Sequence, residues 1–168
     1  MQFFHNLRLK RDNSDENITV EERQVIEVLF EKYESINRNV EMLDDGMGYV
    51  ATSVSQDSAT IAALQLHLKQ MAAVVAGGNR TTRPFDPAAA QFFEYADEIF
   101  TESMDLSNGV KVIVRGNSSE AAAVACNHAN GVSAFVQDGD EERFEKHKIA
   151  KQPWKCEIYP PFVTNFHG

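Results

Sequence analysis

The sequence predicts an α+β domain: two αββα units that together supply a four-stranded antiparallel sheet with helices packed on it. Three observations carry this reading. Residues 48–78 (GYVATSVSQDSATIAALQLHLKQMAAVVAGG) align without a gap on residues 109–139 (GVKVIVRGNSSEAAAVACNHANGVSAFVQDG), with His67 falling on His128. Glycine opens and closes both copies, and a search for internal repeats is the first test of architecture. In both, a β-rich run passes through a polar cap into an amphipathic helical run.

The elements follow in chain order. Residues 19–35 (TVEERQVIEVLFEKYES) predict a helix that starts at Thr19, with Glu22 at capping-box spacing and Val25, Ile26, Leu29, Phe30 and Tyr33 on one face. Residues 36–43 and 49–54 predict a hairpin around Asp44, Asp45 and Gly46, because Asp and Gly supply the positive φ that tight turns need. Asp57 and Ser58 cap the next helix, which stops at Gly77 and Gly78. Asp86 with Pro87 opens a helix over residues 86–97. Residues 99–106 and 110–114 repeat the hairpin around Asn108 and Gly109. Ser118 and Ser119 cap the last helix, which ends at Gly139. The chain therefore reads as one domain, 1–168, with a first repeat at 19–78, a second at 86–139, and terminal arms at 1–17 and 140–168. The acidic run in 138–145 and Pro153, Pro160 and Pro161 rule out a long regular element in the second arm.

Composition narrows the function classes. A net charge of −9 opposes a phosphate backbone, and no Lys/Arg stripe offsets it, so nucleic acid is not an expected partner. Apolar runs such as 71–76 are too short for a predicted membrane span, and residues 1–11 lack a signal-peptide core. Cys126 and Cys156 allow one disulfide at most and form no CxxC pair. The sequons at Asn17, Asn79 and Asn117 are of a kind that polar loops produce by accident. There is no G-x-S-x-G, Walker loop, H-E-x-x-H or dinucleotide-binding glycine motif, so no catalytic residue is assigned.

The matched histidines are the candidate site. On a helical wheel His67 lies on the shoulder of the arc formed by Ile61, Leu64, Leu68, Met71 and Val75, and His128 lies inside the arc of Ala121, Val124, Val132, Phe135 and Val136. Two neutral imidazoles brought together by a pseudo-twofold axis suit Fe, Cu, Zn or haem iron. The plain alternative is that each ring bonds a local carbonyl or hydroxyl. Met71, at i+4 from His67, is a candidate soft ligand, although Val132 stands at its position in the second copy. His147 is a candidate third ligand folding back from the arm. Arg38 is a candidate cofactor contact for a carboxylate or haem propionate, against the alternative of an edge-strand charge facing solvent. Cys126 falls about 200° from His128 on the wheel, so the two do not share an ion. Any haem would be held without covalent attachment, since CxxCH is missing. The competing reading is a non-catalytic accessory subunit or homodimer. It rests on the aromatic arms, with Phe3, Phe4, Trp154, Tyr159, Phe162 and Phe166.

The chain also resembles a family of uncharacterised small bacterial proteins that show a turn ending in Gly-Val, a capped helix with H-V-x-x-M, and a second with H-A-x-x-V. Here these stretches are His67-Leu68-Lys69-Gln70-Met71 and His128-Ala129-Asn130-Gly131-Val132. Asp86-Pro87 before Phe92-Phe93, Ile36-Asn37-Arg38, and the spacing of Glu142 to His147 are similar to further parts of that pattern, over residues 30–147. The Asp-Pro of both helix caps is missing, and the C-terminal arm has no counterpart. The resemblance implies the repeat and a non-cytosolic, periplasm-like location, and it brings no reaction.

Overall fold

The computed structural model describes residues 19–77, 83 and 85–160. The element order is α1 (Val20–Glu31), β1 (Asn37–Met42), β2 (Gly48–Val54), α2 (Ser58–Ala76), α3 (Pro87–Glu94), β3 (Ile99–Leu106), β4 (Gly109–Gly116) and α4 (Ser119–Asp138). The fold is α+β, with one antiparallel sheet in the order β1-β2-β4-β3. The helix starts are those that the capping chemistry predicts. Thr19 and Glu22 exchange backbone and side-chain bonds at 3.0 and 3.1 Å. Asp57 accepts from the Thr60 amide at 2.9 Å, Asp86 from Ala88, and Ser118 from Ala121. Helix α1 ends earlier than the apolar periodicity suggests, because the chain tightens into a 3₁₀ turn over Tyr33–Ser35.

β2 and β4 form the centre of the sheet, with Ala51 opposite Val112. Close pairing there requires glycine at both strand starts. A Cβ on Gly48 would lie 2.0 Å from the Val114 carbonyl oxygen, and one on Gly109 would lie 2.0 Å from that of Ser53. The two hairpins differ in their turns. Leu43 still bonds Gly48 across four loop residues, whereas Leu106 pairs with Gly109 across two.

Strand alternation sorts the side chains. Tyr49, Ala51, Ser53, Val110 and Val114 are buried on the face that carries the helices. Phe100 (62% exposed) and Met104 (51%) stand on the opposite face. α1 packs on α2, α3 on α4, and α4 crosses β4 and β2. Ala121, Ala122, Ala125 and Ala129 let α4 sit close to the sheet, and with Tyr49, Ile99 and Val114 they form the core. Helix α2 is long and apolar enough to cross a membrane by length and composition. Here its Gln65 donates to the carbonyls of Leu106 and Gly109, and Lys69 faces Asp105 at 3.4 Å. No clear membrane span follows.

The described part of the C-terminal arm over 140–168 docks on its own chain. As far as Pro160 it lies on the fold, with Ala150, Trp154 and Ile158 packed against the core. Asn127 and Asn130 on α4 donate to the Lys148 and Glu157 carbonyls, and Cys156 is bonded to Cys126. The physical reason is that α4 is apolar over more of its circumference than one sheet can cover. The segment buries the side of the helix on which Cys126 lies. Residues 1–17, with Phe3, Phe4 and His5, fall outside the described residues, as do Phe162, Phe166 and His167.

The disulfide closes a loop of 30 residues, so restricting the unfolded chain contributes about 3–4 kcal/mol. Cys126→Ala/Cys156→Ala protein is expected to melt well below the oxidised wild type, and reductant is expected to lower the wild-type melting temperature to match. An unchanged melting curve under reductant would contradict this.

Candidate functional site

Between the helices and the inner sheet face lies a cavity of ≈ 280 Å³. It is walled by α1 (Ile26, Leu29, Phe30), α2 (Leu64, His67, Leu68, Met71), α3 (Phe92, Phe93), α4 (His128, Val132, Phe135) and the strands (Arg38, Ser53, Val110, Val112). The apolar faces that the helical periodicity marks out converge here without closing completely. A wider hollow at Ser35, Asn37 and Asp57 is open surface, and its carboxylate, Asp57, already caps α2.

Both predicted histidines line this cavity. Burial holds the His67 imidazole down at about 4, with Glu22 pulling the other way. Burial likewise holds His128 at about 4, helped by the positive field of Arg38 and by repulsion from a charged His67. Both rings are therefore neutral at pH 7. Among the described residues neither ring has a hydrogen-bond partner, and the covered Nδ1 of His67 is unsatisfied. His128 is instead stacked on Phe92, ring centres 4.2 Å apart. The local carbonyl or hydroxyl partner that a purely structural histidine takes is missing at both positions.

Arg38 also turns inward. The alternation that puts Asn37, Asn39 and Glu41 on the open face puts Arg38 on the helix face, opposite Ser53. Its Nε donates to Ser133 Oγ at 3.1 Å, and its Nη atoms donate to Ser53 Oγ and the Ala129 carbonyl, both at 3.4 Å. Burial lowers its pKa. Every one of these partners is neutral, so among the described residues the guanidinium has no carboxylate partner. The reading of Arg38 as an edge charge facing solvent is corrected by this placement.

Met71 lines the cavity one helical turn beyond His67. His147 does not line it. Its Nδ1 lies 2.6 Å from Asp86 Oδ2 and its Nε2 2.7 Å from Glu142 Oε1, and those bonds raise its pKa. Burial pushes the Asp86 carboxyl up, but the bonds and charge of His147, with Arg83 beside it, bring it below its ordinary value. His147 thus ties the chain after α4 to the cap of α3, with neither nitrogen free for a third ligand position. Among the described residues no group of three or more His, Cys, Asp or Glu side chains converges as a metal site.

No family model, curated protein or solved structure matches the chain. Within the site, sequence reasoning did not single out Ser53, Phe92 or Ser133. Ser53 had a legible signal, the inward phase of β2. The approach of α3 and α4 that stacks Phe92 on His128 had none.

Proposed function

We propose that the protein binds a small apolar ligand in the cavity between helices and sheet, with His67 and His128 as its polar contacts. The observation that carries this reading is the pair of neutral imidazoles, without protein hydrogen bonds, that line one apolar space. Such sites are concave and mostly apolar, with a few convergent polar groups. In the form of this reading where the rings coordinate, the ligand is a Fe, Cu or Zn ion to which Met71 adds a thioether, since haem is far larger than a cavity of ≈ 280 Å³. The positive field of Arg38 disfavours a bare cation and favours a ligand that carries an anionic group. We read the two hairpin–helix units as products of an internal duplication. Their ungapped alignment and the pairing of Ala51 with Val112 support that, and duplication would account for a histidine on each helix. The disulfide fits an oxidising, non-cytosolic compartment.

Titration of the full chain with Co(II), a coloured stand-in for Zn(II), is expected to give saturable ligand-field absorption at one equivalent where the rings coordinate, and His67→Ala or His128→Ala should abolish it. Calorimetry with Cu(I) and Zn(II) tests the bare ions in parallel. Absence of any spectral or calorimetric response, in protein that binds apolar probes, would remove coordination and leave only the apolar pocket.

A second reading, a non-catalytic subunit that pairs with a second copy, is favoured by the exposed Phe100 and Met104 on the open sheet face. Light scattering separates the two readings. A strict monomer, unchanged by Phe100→Glu, would exclude pairing through this face.

A further inference from the structure

We propose that the cavity is an organic-acid site, in which Arg38 takes the carboxylate of a guest whose apolar body fills the space between His67, His128 and the phenylalanines. This rests on the reading of the cavity as a ligand site, but not on coordination of iron or any other metal.

The argument begins with the cost of the guanidinium. Removing an arginine from water is expensive, and folds repay that cost with a carboxylate and several good hydrogen bonds. Arg38 has only two serine hydroxyls and one backbone carbonyl, two of the three bonds being long at 3.4 Å. The contrast within the same chain is direct. Arg143, more deeply buried than Arg38, meets Glu27 at 2.6 Å, and Arg83 lies 3.5 Å from Asp86. Of these three arginines, all of which line the cavity, Arg38 is the one whose described partners are all uncharged.

The geometry also decides what kind of anion fits. Arg38 lies on the sheet floor beside Ser53, while the remaining walls are mostly aromatic and aliphatic, and the other two arginines there, Arg83 and Arg143, already face carboxylates. An inorganic anion would satisfy the guanidinium but leave the apolar walls uncovered. A hydrocarbon would cover the walls but leave the charge unpaired. A molecule with both parts, one carboxylate and a hydrophobic body, satisfies both requirements. At ≈ 280 Å³ the space admits a body of about ten heavy atoms, taking about 30 Å³ for each water-sized group. Neutral His67 and His128 can each donate or accept one hydrogen bond. Their neutrality also means that they add no second charge competing with Arg38 for the carboxylate.

The test compares three probes of matched length, decanoate, decanol and decylamine, by calorimetry on the full oxidised chain at pH 7. Decanoate is expected to bind tighter than decanol by on the order of tenfold to a hundredfold, the range of a charge-assisted bond, and decylamine weakest of all. In Arg38→Met the preference for acid over alcohol should vanish while decanol binding persists. The ligand-free variant should melt no lower than wild type, because an unpaired buried charge has been replaced by an apolar chain. Arg38→Lys, which keeps the charge but loses the planar fork, should retain the preference with reduced affinity. Should Arg38→Met fail to fold, Arg38→Lys and the three-probe ranking on wild type decide the matter. Equal binding of decanoate and decanol to wild type overturns the role of Arg38 but leaves the pocket standing. Failure of all three probes overturns the pocket reading itself.

Discussion

Glu27→Ala is expected to lower the unfolding free energy by about 3–5 kcal/mol, the cost of leaving a buried charge without its partner. Glu27 is completely buried and Arg143 nearly so, with Nη2 to Oε2 at 2.6 Å. The guanidinium also lies over the Phe30 ring at 4.2 Å and reaches Asp140 at 3.3 Å. Glu27 is on α1 and Arg143 follows α4, so the pair ties together two elements remote in sequence that both wall the cavity. Urea denaturation of Glu27→Ala, Arg143→Met and the Glu27→Leu/Arg143→Met double variant checks this. Each single variant should be strongly destabilised, and the double variant should recover most of the loss, since replacing both charges removes the desolvation cost together with the attraction. A double variant as weak as the sum of the singles would show that the two charges are not coupled, and would overturn the pair as the source of the loss.

Acid is expected to destabilise the protein through the cavity histidines. An imidazole at about 6.5 in the unfolded chain and about 4 in the fold takes up its proton first in the unfolded state. Stability is therefore intact above about pH 6.5 and is lost as the pH falls through about 4, by about 3 kcal/mol for each ring. His147 behaves oppositely. Its raised pKa contributes stability that is fully present below about 6.5 and lost as the pH rises through the folded value, so it offsets none of the acid loss. The measurement is the difference in unfolding free energy between wild type and His67→Leu/His128→Leu, followed from pH 7 to pH 4. The difference should shift by about 6 kcal/mol in favour of the variant. A difference that stays constant over that range would show that the rings are solvated and titrate normally.

Much of the fold was legible because its determinants are local. Thr19, Asp57, Asp86 and Ser118 announce helix starts, since their side chains answer free amides two or three residues away. The hairpin turns and the alternating strands are equally short-range, and so the four strands and four helices could be read in order. The arcs carrying His67 and His128 followed from periodicity alone. What the sequence could not convey was long-range. Strand order, the covering of α4 by residues 148–160, and whether Cys126 and Cys156 come within bonding reach depend on which surfaces meet after the chain has closed large loops. His147 is a case in point: its ring went to Asp86 and Glu142 because folding brought the cap of α3 beside it, and no spacing in the chain encodes that approach.

Arg38 marks the boundary between the two kinds of information. Its phase on β1 is a property of the sequence, and period-two alternation already placed it opposite Asn37 and Asn39. Whether that face is solvent or interior is a property of the tertiary structure, settled by α4 bringing Ser133 and the Ala129 carbonyl over the sheet. The sequence by itself determined the elements, their caps and the helix faces that bear the histidines, because backbone hydrogen bonding and side-chain periodicity act within a few residues. Only the packing of α1, α2, α3 and α4 on one sheet face decided that those side chains border a common cavity, because enclosure is a property of surfaces from every part of the chain.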